Sequence, residues 1–402
     1  MKILVLDEWV PFPLNTGKKL RTYNLMKRLA SHHSIDYLCY SSQEVDREAI
    51  SHMKSIGISV IPVYNQIIKN GISYWFKILI NIFQLQPFAV KNHFSKIFKD
   101  KFINLIQKKN YDILWCEWTP YAEFLRDLEG KIKILSSHNV EALAWKRFTT
   151  IQKNPFKKII GYLQWKKMFK FEKNSCLNFT HIFAVSENDR DLFKEWYGCQ
   201  NITVIPNGVD VDYFTPMIAH KDPYNIIFSA SMDAFVNQDA VDFFILEILP
   251  KVKKLIPNAT FTIVGKDPPR KILKYKKIHG VEITGTVPDV RPFLAKAGLV
   301  IVPIRIGGGS RLKILEAFSM SKPVISTLMG AEGLLVENGE NILLAQDNDQ
   351  LIGQILRVMS NDNLAQALGE NGRKLVANKY SWEIIASDLL NKINEIEIGL
   401  NV

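Results

Sequence analysis

The chain has 402 residues, 47% hydrophobic and 23% charged, the balance of an ordinary globular protein with apolar material for two cores. No apolar run approaches the roughly 18 residues a bilayer-spanning helix needs. The formal charge is +11, but no RNA- or DNA-reading motif accompanies it, which excludes nucleic acid as the partner.

Taken in order, residues 3–6 read as a buried first strand rather than a signal peptide, because acids follow at Asp7 and Glu8. A Pro/Asn loop ends at Gly17, and Leu20, Tyr23, Leu25, Met26 and Leu29 then give helical spacing over 18–31. Strands follow near 35–40 and 59–62, with a helix between them. Residues 72–85 are aromatic and aliphatic, and 94–108 form a basic amphipathic helix. A strand at 112–116, a helix around 121–127 and a strand at 131–136 lead to Ser137-His138-Asn139. Residues 140–174 are mostly helical and rich in Trp, Phe and Lys, and strands at 181–185 and 203–205 finish the half. Such alternation implies a parallel, doubly wound sheet, whose ligands bind beyond the carboxyl ends of its strands. Gly17 and His138 both fall at such ends.

Pro216 and Pro223 punctuate a hinge region over 210–224. A second alternating half follows, with strands at 225–231, 260–264, 281–284, 299–303 and 341–345, and a long helix over 237–254. Its centre is Gly307-Gly308-Gly309-Ser310-Arg311-Leu312-Lys313-Ile314-Leu315-Glu316, a glycine loop opening a helix that must stop before Pro323. Ser310 is expected as its N-cap. Arg311 and Lys313 in the first turn oppose the helix dipole, so they suit an anion held there by free N–H groups and both side chains. The alternative is a plain turn, with Lys313 paired to Glu316. The spacing is neither a Walker loop nor a G-x-G-x-x-G fingerprint. Helices over 349–359, 363–378 and 382–396 close the chain.

The charge is uneven. Residues 66–109 hold eight lysines against Asp100, and 145–174 hold nine Lys/Arg against Glu172, leaving the rest of the chain slightly acidic. Both stretches mix cations with aromatic and aliphatic side chains, the composition of segments that lie on anionic membranes. The four cysteines (39, 116, 176, 199) are widely spaced with no metal-like pattern, so no metal or other cofactor is expected, and reduced thiols suit a cytoplasmic protein on the inner membrane face.

The central motif, together with Gly330-Ala331-Glu332-Gly333-Leu334, resembles the nucleotide-sugar site of family 4 glycosyltransferases. Ser137-His138-Asn139, Val185-Ser186-Glu187 and Ile205-Pro206-Asn207-Gly208-Val209-Asp210 carry the resemblance along nearly the whole chain. It implies a retaining enzyme of α/β GT-B fold, two Rossmann-like doubly wound domains facing a cleft. The domains would be an acceptor-binding one over 1–210, a donor-binding one over 211–378, and a C-terminal helix over 379–402 that crosses back. By resemblance His138 binds the donor sugar, Glu316 takes the ribose hydroxyls, and Gly17, Gly308, Gly309, Ser310, Arg311, Leu312 and Lys313 surround the diphosphate. The pattern departs in two places: Gly308 stands where many relatives carry a first glutamate, and residues 230–239 lack the usual Arg and Lys. Arg311 and Lys313 are expected to supply those two charges. The implied activity moves a sugar from a nucleoside diphosphate sugar to a glycan or lipid-linked acceptor in cell-surface polysaccharide synthesis. The other readings are a nucleotide-sugar epimerase on the same fold and a non-catalytic basic membrane binder.

Overall fold

Apolar runs such as residues 3–6 and Ala297–Val302 become strands here because helices cover both faces of a parallel sheet, so every position can be apolar. The computed structural model describes residues 1–398 apart from 43–45, 65–71, 153 and 307–310. It divides into two compact units, residues 1–206 with 386–402, and residues 207–385.

The first unit holds β1 (Lys2–Trp9), β2 (Ser34–Ser41), β3 (Ile58–Tyr64), β4 (Ile113–Cys116), β5 (Ile132–Ser136), β6 (His181–Ala184) and β7 (Ile202–Val204). They form one parallel sheet in the order β3-β2-β1-β4-β5-β6-β7. The second unit holds β8 (Asp222–Ser229), β9 (Thr260–Val264), β10 (Val281–Gly285), β11 (Ala297–Val302), β12 (Val324–Thr327) and β13 (Leu343–Ala345). Their order is β10-β9-β8-β11-β12-β13, again all parallel. In each sheet the order reverses beside its first strand, between β1 and β4 and between β8 and β11. That switch point opens a crevice at the carboxyl ends, the standard ligand position of such sheets.

Three local departures from the sequence reading have physical causes. The helix expected over 237–254 is broken into Phe235–Phe243, a wide turn at Phe244–Ile248, and Leu249–Leu255. Pro250 has no N–H to donate back into the preceding turn, so the hydrogen-bond register widens there. The 121–127 helix is a tight 3₁₀ stretch, Thr119–Leu125, opened by Pro120. The central helix runs Leu312–Ser319 with Arg311 in the cap position, rather than starting at Arg311 behind a Ser310 cap. Gly308, Gly309 and Ser310 themselves lie outside the described residues.

Candidate active site

In the first unit, polar side chains gather at the carboxyl ends of β1, β4 and β5. Asp7 and Glu8 end β1, Glu117 follows β4, and His138 follows β5. Gly17 is the first residue of the Gly17–Leu29 helix, whose N-cap Thr16 accepts from Lys19 N at 3.3 Å. That helix sends Lys18 to Asp7 (2.7 Å) and Glu8 (3.7 Å), with its ammonium 4.9 Å from the Trp118 ring centre. Burial alone would depress the Lys18 pKa, but Asp7 and then Glu8 outweigh it and hold it above the ordinary value.

Glu117 is fully buried and is the hub of this cluster. It accepts from Thr22 Oγ1 at 2.8 Å and from Trp115 Nε1 at 2.5 Å, and His138 Nε2 lies 3.3 Å from its Oε1. Burial pushes its pKa up, yet His138, Trp115 and the charge of Arg21 prevail and keep the carboxyl below its usual range. Arg21 is itself buried and donates to Pro206 O at 2.7 Å. His138 goes the other way: burial lowers its pKa more than Glu117 raises it, so the imidazole is neutral near pH 7. A neutral imidazole beside a fixed carboxylate exchanges hydrogen bonds with hydroxyls, which is chemistry suited to a sugar.

In the second unit, the helices that follow β8 (Phe235–Phe243) and β11 (Leu312–Ser319) meet at the switch point. Lys313, in the first turn of the Leu312–Ser319 helix, donates from Nζ to Asn237 Oδ1 at 3.0 Å, and its ammonium lies 4.6 Å from the Phe228 ring centre. Asn237 is held in turn by donating to Ser231 O at 2.7 Å. Burial lowers the Lys313 pKa to about 7, helped by Arg311 and opposed by Glu316. Burial likewise raises that of Glu316 to about 7 against the pull of Lys313. Both side chains are nonetheless partly open to solvent. Among the described residues no ion pair joins Lys313 to Glu316, so the helix-pair alternative is not what holds the lysine.

Arg311 is buried and turned toward the loop after β12, with Nε donating to Glu332 O and Nη2 to Glu332 Oε2, both at 3.3 Å. That loop presses against β11 at Gly330, where a Cβ would stand 2.5 Å from Val302 O and 2.3 Å from Ser326 Oγ, so only glycine fits. Leu312 is partly buried and packs on the core. The structure thus brings Lys313 and Glu316 onto one open turn, braces Arg311 on Glu332, and leaves His138 and Gly17 in the other unit.

The sequence reading passed over Glu117, Asp7, Lys18 and Arg21. A signal existed. Asp7 and Glu117 each follow directly on a short apolar strand, and the same carboxyl-end rule that singled out His138 applies to both.

Comparison with known proteins bears on the family and the fold. The model described as Glycosyltransferase Family 4 matches residues 17–213, and that described as Glycosyl transferases group 1 matches residues 223–361. An uncharacterized glycosyltransferase of Methanocaldococcus jannaschii is 28% identical over 95% of each chain. The Escherichia coli UDP-Gal:alpha-D-GlcNAc-diphosphoundecaprenol alpha-1,3-galactosyltransferase is 27% identical over 50% of this chain and 57% of its own. The crystal structure of Anabaena HepE with UDP and glucose superposes with a TM-score of 0.70 over 98% of this chain and 100% of its own, at 14% identity, and so shows the fold. Two adjoining family matches, a full-length relative and a shared two-sheet architecture make the chain a family 4 glycosyltransferase of GT-B fold.

Proposed function

We propose that the enzyme transfers a sugar, with retention, from a nucleoside diphosphate sugar to a glycan or lipid-linked acceptor in polysaccharide or glycolipid synthesis. One observation supports the donor assignment: the Lys313 ammonium reaches Asn237, in the first turn of the helix after β8, beside residues 230–239, which hold no cation of their own. In the reaction the bond from the sugar anomeric carbon to the diphosphate oxygen breaks, its electron pair leaving with the diphosphate. The acceptor oxygen bonds to that carbon on the same face, and its proton passes to the departing phosphate. Negative charge therefore grows beside the first turn of the Leu312–Ser319 helix. Lys313 offsets it directly, while Arg311 adds positive potential and fixes the turn through Glu332. Glu316 accepts from the ribose, and neutral His138 hydrogen-bonds the sugar.

The acceptor half of the reading draws on the relative that acts on a diphosphoundecaprenol-linked sugar and on the two basic, aromatic-rich stretches of the first unit. A lipid-linked acceptor places the enzyme on the inner membrane face as a peripheral protein. Among the described residues no helix is long and apolar enough to cross a membrane.

Isothermal titration of nucleoside diphosphates tests the donor site. Lys313→Ala should weaken binding by about 10- to 100-fold, because a charge-assisted contact contributes about 1.5–3 kcal/mol. Arg311→Ala should weaken it as well, with some loss of stability. Glu316→Gln should weaken even the free nucleoside. Wild-type affinity in Lys313→Ala would move the diphosphate elsewhere, and conversion of the donor sugar without any acceptor would mark an epimerase instead.

A further inference from the structure

Away from the buried cluster around Glu117, the first unit carries an unusual apolar surface. Phe83 is 93% exposed and Leu85 95% exposed, in a short connection between the Ile72–Asn81 and Phe88–His93 helices. A connection that displays two large apolar side chains is ordinarily free to fold them away. This one is pinned. Gln164, fully buried on the Pro155–Cys176 helix, donates to Asn81 Oδ1 at 2.8 Å and accepts from Phe88 N at 2.9 Å. Lys167 of the same helix donates to Asn81 O at 2.5 Å and Ile82 O at 3.0 Å. The backbone is thus clamped at both ends of the loop while Phe83 and Leu85 point out. Holding them in water costs about 1.5–3 kcal/mol each relative to burial, which marks a contact surface.

Beneath the two prongs lies a groove of about 940 Å³ between this connection and the Pro155–Cys176 helix. Five cations line it (Arg126, Lys133, Lys166, Lys167 and Lys170), against the single carboxylate of Glu123. Glu123 is already engaged by Gln86 Nε2 at 2.7 Å. Lys133 is buried at the groove wall and donates to Leu128 O at 2.8 Å. Lys166 and Lys170 are exposed, and the Lys166 ammonium lies 4.8 Å from the Trp165 ring centre, the cation-on-aromatic pairing of a membrane interface. Further large apolar side chains are exposed at Phe76 (62%) on the Ile72–Asn81 helix and Phe156 (77%) at the start of the Pro155–Cys176 helix.

We infer that this groove binds the phosphate headgroup of an anionic bilayer lipid, with Phe83 and Leu85 entering the acyl boundary. The charge decides the occupant. An apolar peptide groove needs no ring of cations, whereas an anionic headgroup above hydrocarbon requires both features side by side. The groove is lined by Lys133, near the start of β5, and by Asn178 and Phe179, just before β6, so it lies at the amino ends of these strands, whereas Glu117 and His138 follow the carboxyl ends of β4 and β5. It is therefore a docking site and not the sugar site. It deepens the peripheral-membrane reading above and rests on it.

Flotation with vesicles of phosphatidylglycerol and phosphatidylcholine, against pure phosphatidylcholine, tests the inference. Wild-type protein should float with the anionic vesicles only, and less as salt rises. Phe83→Ser with Leu85→Ser should lower the bound fraction at least tenfold, and so should Lys166→Glu with Lys170→Glu. Lys274→Glu with Lys277→Glu, an equal charge change in the second unit, should leave most of the binding. Nucleoside diphosphate titration should be unchanged in all three double variants, which separates failure of the lipid site from failure of the donor site. Wild-type flotation by Phe83→Ser/Leu85→Ser, or no flotation of wild type at all, overturns the assignment. Dimers that this variant splits, with no vesicle binding, would give the face to a second copy instead.

Discussion

At the scale of single residues, the proposed binding of a nucleoside diphosphate at Lys313 and Glu316 would be proton-coupled. Lys313 and Glu316 both titrate near about 7 in the free protein, burial being the first cause in each case. A bound diphosphate favours the charged ammonium, so binding takes up a proton wherever free Lys313 is neutral, above about pH 7. A ribose hydroxyl donating to Glu316 favours the carboxylate, so binding releases a proton below about pH 7. Calorimetry in buffers of different ionisation enthalpy should show the sign change, and Lys313→Met should abolish the uptake alone. A proton balance of one sign from about pH 6 to about pH 8.5 would sink the pairing of these residues with phosphate and ribose. Glu117 sets a second residue-level expectation. Glu117→Gln leaves the buried Arg21 without its opposing charge and weakens the hold on His138, so a loss of about 3–5 kcal/mol in urea unfolding is expected. A change within error would show that Arg21 needs only its bond to Pro206.

At the scale of elements, the turn carrying His138 is fixed from outside its own segment. The helix that follows it, Glu141–Ile151, has no side-chain N-cap of its own. Its orphan N–H groups are taken by Glu172 of the Pro155–Cys176 helix, which accepts from Glu141 N (2.9 Å), Ala142 N (2.8 Å) and Tyr197 Oη (2.7 Å). Burial raises the Glu172 pKa from 4.5 to about 8 in spite of those donors. The folded chain therefore holds this proton over a range where the unfolded chain has lost it. The contribution to stability is fully present below about pH 4.5 and is lost as pH rises through about 8. Glu172→Gln cannot ionise and strands one donor, costing about 1–3 kcal/mol at low pH. Unfolding midpoints of the two proteins should converge as pH rises from about 5 to about 9. A constant gap would mean the carboxyl is ionised throughout.

At the scale of the whole molecule, the Trp382–Ile398 helix begins in the second unit and ends in the first. Leu389 and Ile393, in its first-unit portion, are fully buried. Lys392 beside them adds to burial in holding the His181 pKa down to about 4. Leu389→Ala should cost about 2–5 kcal/mol in chemical unfolding while leaving the nucleoside diphosphate affinity of the folded protein unchanged. A neutral result would place little of the first unit's stability in the C-terminal segment. The charge is organised on the same scale: the two basic stretches of the first unit supply more than the chain's net +11, and three of the four lysines in the groove beneath Phe83 and Leu85 come from the second of them.

The order of strands and helices and the doubly wound class were legible in the sequence because they follow from local periodicity and from the need to cover both faces of a parallel sheet. Ile3-Leu4-Val5-Leu6 and Leu299-Val300-Ile301-Val302 are short, continuous apolar runs rich in β-branched residues, the pattern of strands buried on both faces. The turn of Arg311 and Lys313 stood out as well, since cations at a helix start are unfavourable unless something negative sits there. What no local pattern carries is which distant side chains meet. That Lys313 faces Asn237 rather than Glu316, that Arg311 is braced by Glu332, and that Glu117 gathers Thr22 and His138 all depend on strand order. The reversal beside β1 and beside β8 brings together residues far apart in the chain, Asn237 with Lys313 (76 positions) and Thr22 with Glu117 (95 positions). Periodicity reports the environment of a residue and not its neighbour, so the partners, and the pKa values they set, were decided by the tertiary structure alone.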